Sequence, residues 1–217
     1  MTHWPHLENL YLYSNPNSPS TPGLGEGLPS PLPSLKGLVI RNCSDAGLFR
    51  QLLSLSPNVE QLSVNIRERK QMSEILNAML SSKNSLRHLH LQALRLKAEF
   101  RRTRVAEMPL SFYNALPNLT RLRFLKLTDT FFPPDLLTKT LPPSLEILVI
   151  FLFSDDYPAL ASALEDRGWL PNLRKLTVQA PSPARHRTRR YWHQKETKNV
   201  VRQCKIRKCE WHSMVLG

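Results

Sequence analysis

Pro33-Ser34-Leu35-Lys36-Gly37-Leu38-Val39-Ile40-Arg41-Asn42-Cys43 is the stretch that decides the fold. Counted from Leu35, apolar residues stand at positions 1, 4 and 6, and a cysteine stands at position 9. The spacing occurs seven times in the 217-residue chain. The other copies are Leu7-Leu10-Leu12, Val59-Leu62-Val64, Leu86-Leu89-Leu91, Leu119-Leu122-Phe124, Leu145-Leu148-Ile150 and Leu173-Leu176-Val178. Position 9 is Asn15 in the first copy and Cys43 in the second, which completes L-x-x-L-x-L-x-x-N/C. In an extended segment, alternate side chains share a face, so each copy carries an apolar face that it cannot bury alone. The copies must stack.

The first leucines are 28, 24, 27, 33, 26 and 28 residues apart. That leaves room for a helix opposite each strand. Helical spacing of apolar residues predicts helices over 45–56 (Leu48, Leu52, Leu55, with Asp45 as N-cap), 70–82 (Ile75, Leu76, Met79, Leu80) and 157–166 (Leu160, Ala161, Leu164). Residues 134–141 offer a shorter one. Strands are predicted near 9–13, 37–41, 61–65, 88–92, 122–128, 146–151 and 174–179. Several prolines (Pro5, Pro33, Pro57, Pro117, Pro143, Pro171) stand just before a copy. Proline there ends the preceding element and feeds an extended strand.

Two places break the rhythm. Residues 14–34 hold six prolines and three glycines and read as a loop. The interval between the fourth and fifth copies carries a basic insert with Arg101, Arg102 and Arg104. The fifth copy also has two frames. Leu119-Leu122-Phe124 follows Pro117-Asn118, whereas Leu122-Leu125-Leu127 with Thr130 fits the spacing.

The phrase 33–43 and its neighbour Pro57-Asn58-Val59-Glu60-Gln61-Leu62-Ser63-Val64 resemble the irregular, cysteine-containing leucine-rich repeats that follow the F-box in ubiquitin-ligase substrate receptors, especially fungal ones. The resemblance covers roughly residues 5–180. It implies an α/β fold: a right-handed leucine-rich-repeat solenoid with parallel strands on a concave face and helices and loops on the convex face. It implies a protein-interaction role, with the chain as the substrate-binding part of such a receptor. The first copy begins at Leu7, so no F-box is expected within this sequence, as in a fragment, a truncated gene model or a repeat-only relative. The expected organisation is a solenoid over 1–180 and a basic tail over 181–217.

Composition narrows the function. Net charge is +13, and residues 181–217 hold ten Lys and Arg against two acids. Three cysteines are too few for a disulfide framework, and no signal-like leader follows Met1, so a cytoplasmic or nuclear setting is expected. The longest apolar run, residues 145–153, is too short to span a bilayer, and no membrane association is expected. No G-x-S-x-G, P-loop, H-E-x-x-H or dinucleotide fingerprint is present, so no enzyme activity and no cofactor are expected. Cys204-x4-Cys209-x2-His212, with His193 upstream, supplies only one close half-pair, and no metal is expected.

The outward positions 3, 5 and 7 of the copies contain no Asp or Glu, although the chain has 17 acids. They supply the candidate partner-binding residues: Tyr11, Tyr13, Arg41, His88, His90, Arg121, Arg123, Val149, Phe151 and Lys175. In the shifted frame, the fifth copy contributes Phe124, Lys126 and Thr128 instead. Tyrosine and arginine dominate interface energetics, and the face suits a protein partner with an acidic segment. The alternative is nucleic-acid or anionic-surface binding through the tail. There Arg187, Arg189 and Arg190 beside Tyr191 and Trp192 would contact phosphates and stack on bases.

Overall fold

A computed structural model describes residues 6–13, 32–41, 50–52, 54, 58–66, 71–93, 106–181 and 194–216. Asn15, Cys43, the insert Arg101, Arg102 and Arg104, and the tail residues Arg187, Arg189, Arg190, Tyr191 and Trp192 lie outside these. So do most of the predicted loop 14–34 and most of the predicted helix 45–56. The described residues form one α/β unit around a single sheet. Its strands are β1 (Asn9–Tyr13), β2 (Gly37–Arg41), β3 (Gln61–Ile66), β4 (His88–Ala93), β5 (Ala106–Glu107), β6 (Phe124–Phe131), β7 (Ile147–Phe151), β8 (Lys175–Pro181) and β9 (Glu210–Leu216). The spatial order is β1-β2-β3-β4-β6-β7-β8-β9, with the short β5 pairing β6 off this path. Every pairing is parallel, as one strand per copy requires.

The register follows the repeat. Leu10, Leu38, Leu62, Leu89, Leu125, Leu148 and Leu176, all at position 4, are successive Cα partners across the sheet. From the second copy on, the position 4 and 6 side chains are buried in one continuous core. Helices α1 (Gln71–Ser81), α2 (Leu110–Ala115), α3 (Leu137–Thr140), α4 (Tyr157–Glu165) and α5 (Gln194–Ile206) supply the opposing wall. Ile75, Met79, Phe112, Leu137, Leu160, Leu164 and Val200 from these helices belong to the same core. Parallel strands need crossovers, and a helix on one face of the sheet meets that need.

The Pro-x-Leu preface has a local cause. Leu35, Leu145 and Leu173 each donate their N–H to the carbonyl three residues earlier, at 3.1, 3.2 and 3.0 Å. Pro33, Pro143 and Pro171 thus occupy the second position of a tight turn, where the fixed φ of proline is favoured.

The same turn resolves the fifth copy. Leu119 donates to Leu116 O at 3.0 Å across Pro117-Asn118, and a second turn follows, Leu122 to Leu119 O, also 3.0 Å. The strand therefore starts one turn later than the Pro-Asn preface suggests. Ser144 Oγ donates to Leu122 O at 2.8 Å, as Ser85 Oγ donates to Val59 O at 3.0 Å, which gives Leu122 the position 1 role. The frame is Leu122-Leu125-Leu127, with Leu89 paired to Leu125 and Leu91 to Leu127.

The expected division at residue 180 is corrected. Residues 194–216 are a further helix–strand unit rather than a tail, because α5 packs on α4 and β9 pairs β8 over seven residues. Val200, Cys204 and Cys209 are buried in the common core. Arg207 ties the unit down: its guanidinium donates to Leu170 O at 2.9 Å and to Trp169 O, and lies 5.9 Å over the Trp169 ring. Trp169 Nε1 in turn donates to Leu137 O at 2.8 Å. Hydrogen bonding with the Cys209 thiol, and then burial, push the Cys204 thiol up, away from reactivity. No L-x-x-L-x-L marks β9: Trp211 pairs with Leu176 at position 4 and Ser213 with Val178 at position 6.

Leu89 sits in mid-sheet and is wholly buried. Leu89→Ala should cost about 2–5 kcal/mol, because a repeat stacked on both sides cannot collapse around the void. Urea denaturation measures it, and an unchanged midpoint would contradict the repeat frame.

Candidate functional site

The helices cover one face of the sheet. The other face is built from positions 3, 5 and 7, and register fixes who is neighbour to whom. The position 5 row reads Tyr11, Val39, Ser63, His90, Lys126, Val149, Thr177 and His212. Adjacent members stand one strand spacing apart, about 4.8 Å.

The expected site residues divide. Tyr11 and Tyr13 on β1 are the most open, at 74% and 73% exposure. Arg41 is the register partner of Tyr13 and is half-buried, as are His90 and Lys175, while His88 is exposed. Val149 and Phe151 are corrected: both lie on this face but are buried, Phe151 to 1%. Phe151 pairs with Phe131 beyond a register shift in β6, and its ring stands nearly perpendicular to that of Phe153, centroids 5.3 Å apart. Along the position 5 row the accessible members therefore run from β1 to β6 and, past the buried Val149 and Thr177, resume with His212 on β9.

Arg121 and Arg123 are corrected as well. The frame of the fifth copy takes them off the face and gives their places to Phe124, Lys126 and Thr128. Arg121 lies in the turn ahead of β6, and Arg123 sits on the rim at the strand's start. The face is also not acid-free throughout. β9 brings Glu210 to position 3, beside Lys175 at 3.9 Å and His212 at 3.6 Å.

His90 is the centre of what remains. Ser63 Oγ lies 3.2 Å from His90 Nδ1, and Thr128 Oγ1 lies 3.4 Å from His90 Nε2. Both ring nitrogens thus meet hydroxyls, which serve either as donor or as acceptor. Burial, then the positive charges of Lys126 and Arg41, hold the imidazole pKa down at about 4. The ring is neutral at pH 7 and a weak base. It bridges three strands as a polar contact, with cations on either side. His88, one step along β4, is also held below its ordinary value, first by burial and then by Arg87. Its ring lies 5.9 Å from that of Phe124.

One column escaped the sequence reading. Position 2 is charged in every copy: Glu8, Lys36, Glu60, Arg87, Arg123, Glu146 and Arg174. The structure lines these up along the strand starts. Lys36 meets Glu8 at 3.1 Å, Arg87 meets Glu60 at 3.6 Å, and Glu146 meets Arg123 and Arg174 at 3.4 and 3.7 Å. The signal was a charge after each first apolar residue, legible only once the fifth frame was known.

Among the described residues, no group of three or more His, Cys, Asp or Glu could hold a metal ion, and no helix is long and apolar enough to cross a membrane. No family model, no curated protein and no solved structure matches the chain.

The His90 shift has a consequence for stability. The folded pKa of about 4 lies below the ordinary 6.5, so the unfolded chain takes up the proton first as pH falls. The contribution of neutral His90 is full above pH 6.5 and is lost between about 6.5 and about 4. His90→Gln should flatten thermal stability over that window, and the His90 ring resonance should titrate near 4. An inflection near 6.5 would mean that the ring is not desolvated.

Proposed function

We propose that the chain is a leucine-rich-repeat solenoid and a non-catalytic protein-interaction scaffold. Its open sheet face, from Tyr11 and Tyr13 through Arg41, His90 and Lys126, receives a partner with an acidic segment. The observation that carries this is the in-register row itself. One side chain per strand projects from a face that the helices leave bare, and aromatic groups at one end give way to cations in the middle. Exposed tyrosines supply large contact area at low entropic cost, and arginine adds planar donors.

A catalytic reading gains nothing from the same residues. The Ser63–His90 pair has the spacing of a nucleophile and base, but a ring held at a pKa of about 4 is a poor base at neutral pH. The groups that flank it are cations and hydroxyls.

The narrower reading, that the scaffold is the substrate-binding part of an F-box-type ubiquitin-ligase receptor of the cytoplasm or nucleus, rests on the phrases at 33–43 and 57–64. The nucleic-acid alternative rests on residues 185–192 and on the exposed Lys198, Arg202 and Lys205 of α5.

Affinity capture with the full chain, repeated with Tyr11→Ala/Tyr13→Ala and with Lys126→Glu, tests the main reading. Loss of tyrosine area should raise the off-rate of a captured protein, and the charge reversal should lower its on-rate by about tenfold at low salt. Capture of nucleic acid, insensitive to these changes and abolished by deleting residues 185–192, would favour the alternative.

A further inference from the structure

The position 2 column has a flaw in its alternation. Its signs run − + − + + − + from Glu8 to Arg174, and the one like-charged junction is Arg87 beside Arg123. The two are true neighbours: Arg87 O accepts the N–H of Arg123 at 2.9 Å and of Phe124 at 3.0 Å. At four of the other junctions, Glu8–Lys36, Glu60–Arg87, Arg123–Glu146 and Glu146–Arg174, the side chains meet at 3.1–3.7 Å. Here each arginine turns to a carboxylate on its far side, Arg87 to Glu60 and Arg123 to Glu146. The two arginine side chains remain 46% and 61% exposed. Like charges opposite each other on neighbouring strands are destabilising.

We propose that the Arg87–Arg123 junction is a binding site for one carboxylate side chain, an aspartate or glutamate of the partner's acidic segment. The two forked cations start adjacent strands, each held by a carboxylate on its far side, which leaves no negative charge between them; a carboxylate accepts an arginine fork through both oxygens. The missing negative charge of the ladder is the ligand. The site opens directly onto the sheet face, because His88 and Phe124, each the next residue along, are register partners there with their rings in contact. An acidic residue bound between the arginines thus places its neighbours over that aromatic pair and towards His90 and Lys126. The peptide nature of the occupant rests on the interaction-scaffold reading, whereas the anion site rests on the ladder alone.

The test uses the full chain at constant ionic strength with a capped, labelled hexaglutamate peptide as probe and hexaglutamine as its neutral control. Binding is followed by anisotropy and by the arginine Nε–H resonances. Arg87→Gln/Arg123→Gln should weaken hexaglutamate by about tenfold and remove two resonances that move on titration of the wild type. Lys198→Gln/Arg202→Gln, an equal charge loss on the helical face, should weaken it less than about twofold. Arg87→Lys/Arg123→Lys, which spares the fold and the charge, should fall between, since a point charge replaces a fork. Equal losses in the two Gln doubles, equal binding of hexaglutamine, or immobile Arg87 and Arg123 resonances would each overturn the site. Displacement of the peptide by inorganic phosphate at lower concentration than by glutarate would overturn the carboxylate assignment. Lys126→Glu separates the two proposals. Loss there without loss in the arginine double sinks this site and spares the face, and the reverse outcome spares the site and sinks the face.

Discussion

The backbone carbonyl at position 2 is the interaction on which the rest depends. In six successive strands it accepts two N–H groups from the next copy, those of positions 2 and 3. The pairs are Lys36 and Gly37 on Glu8 O, Glu60 and Gln61 on Lys36 O, Arg87 and His88 on Glu60 O, Arg123 and Phe124 on Arg87 O, Glu146 and Ile147 on Arg123 O, and Arg174 and Lys175 on Glu146 O, all within 2.7–3.0 Å. Each strand is thereby set level with the one before it. The leucines at positions 4 and 6 reinforce the choice, because a slip of one residue would turn them to the solvent face. Backbone pairing and apolar patterning specify the same register.

Alignment turns a linear pattern into surface columns. Position 2 becomes a ladder of ion pairs along the rim, and position 5 a row across the open face. Exposed ion pairs of this sort contribute little to stability one by one. Their value lies in where the alternation fails, at Arg87 and Arg123. The same alignment explains why His90 is depressed although no residue next to it in sequence is cationic. Burial in the row is the larger cause, and Lys126 on the neighbouring strand and Arg41 two strands away add to it, 36 and 49 residues away in the chain. The two ends of the sheet differ. β1 leaves Leu10 and Leu12 only half-buried with Tyr11 and Tyr13 outside, whereas at the other end β9 carries the exposed polar residues Glu210, His212 and Ser213 beside a buried Cys204 and Cys209.

Much of this was legible in the sequence because the repeat encodes it twice, in leucine spacing and in the Pro-x-Leu turn. Strands at 9–13 and 37–41 and helices near 71–81 and 157–165 stand where the periodicity puts them. Where the two signals part, the reading divides. Pro117-Asn118 makes its usual turn, but a second turn intervenes, and only the Ser144–Leu122 bond and the pairing with β4 identify the frame. The shift of three residues exchanged Arg121 and Arg123 for Lys126 on the face. α2 (Leu110–Ala115) was hidden because six residues are too few for a period to show. The C-terminal unit was hidden for a different reason. Its strand pairs through the backbone of β8 and uses Trp211 and Ser213 where the other copies have aliphatic residues, and a basic composition reads as tail. Phe151 was read as exposed because period-two alternation assigns a face but not what else packs on it.

The distance along the position 5 row tests this account most directly. Tyr11 and His212 are separated by seven strand steps, which places them about 33 Å apart along the sheet, with Lys126 about 19 Å from Tyr11. Spin labels carried on unnatural side chains at these three positions, which leave the native cysteines untouched, report the distances by pulsed dipolar spectroscopy. The account predicts that Tyr11–His212 is the longest of the three, with Lys126 between. A Tyr11–His212 distance shorter than Tyr11–Lys126, or a C-terminal label with no defined distance, would contradict the single parallel ladder and the placing of residues 194–216 within it.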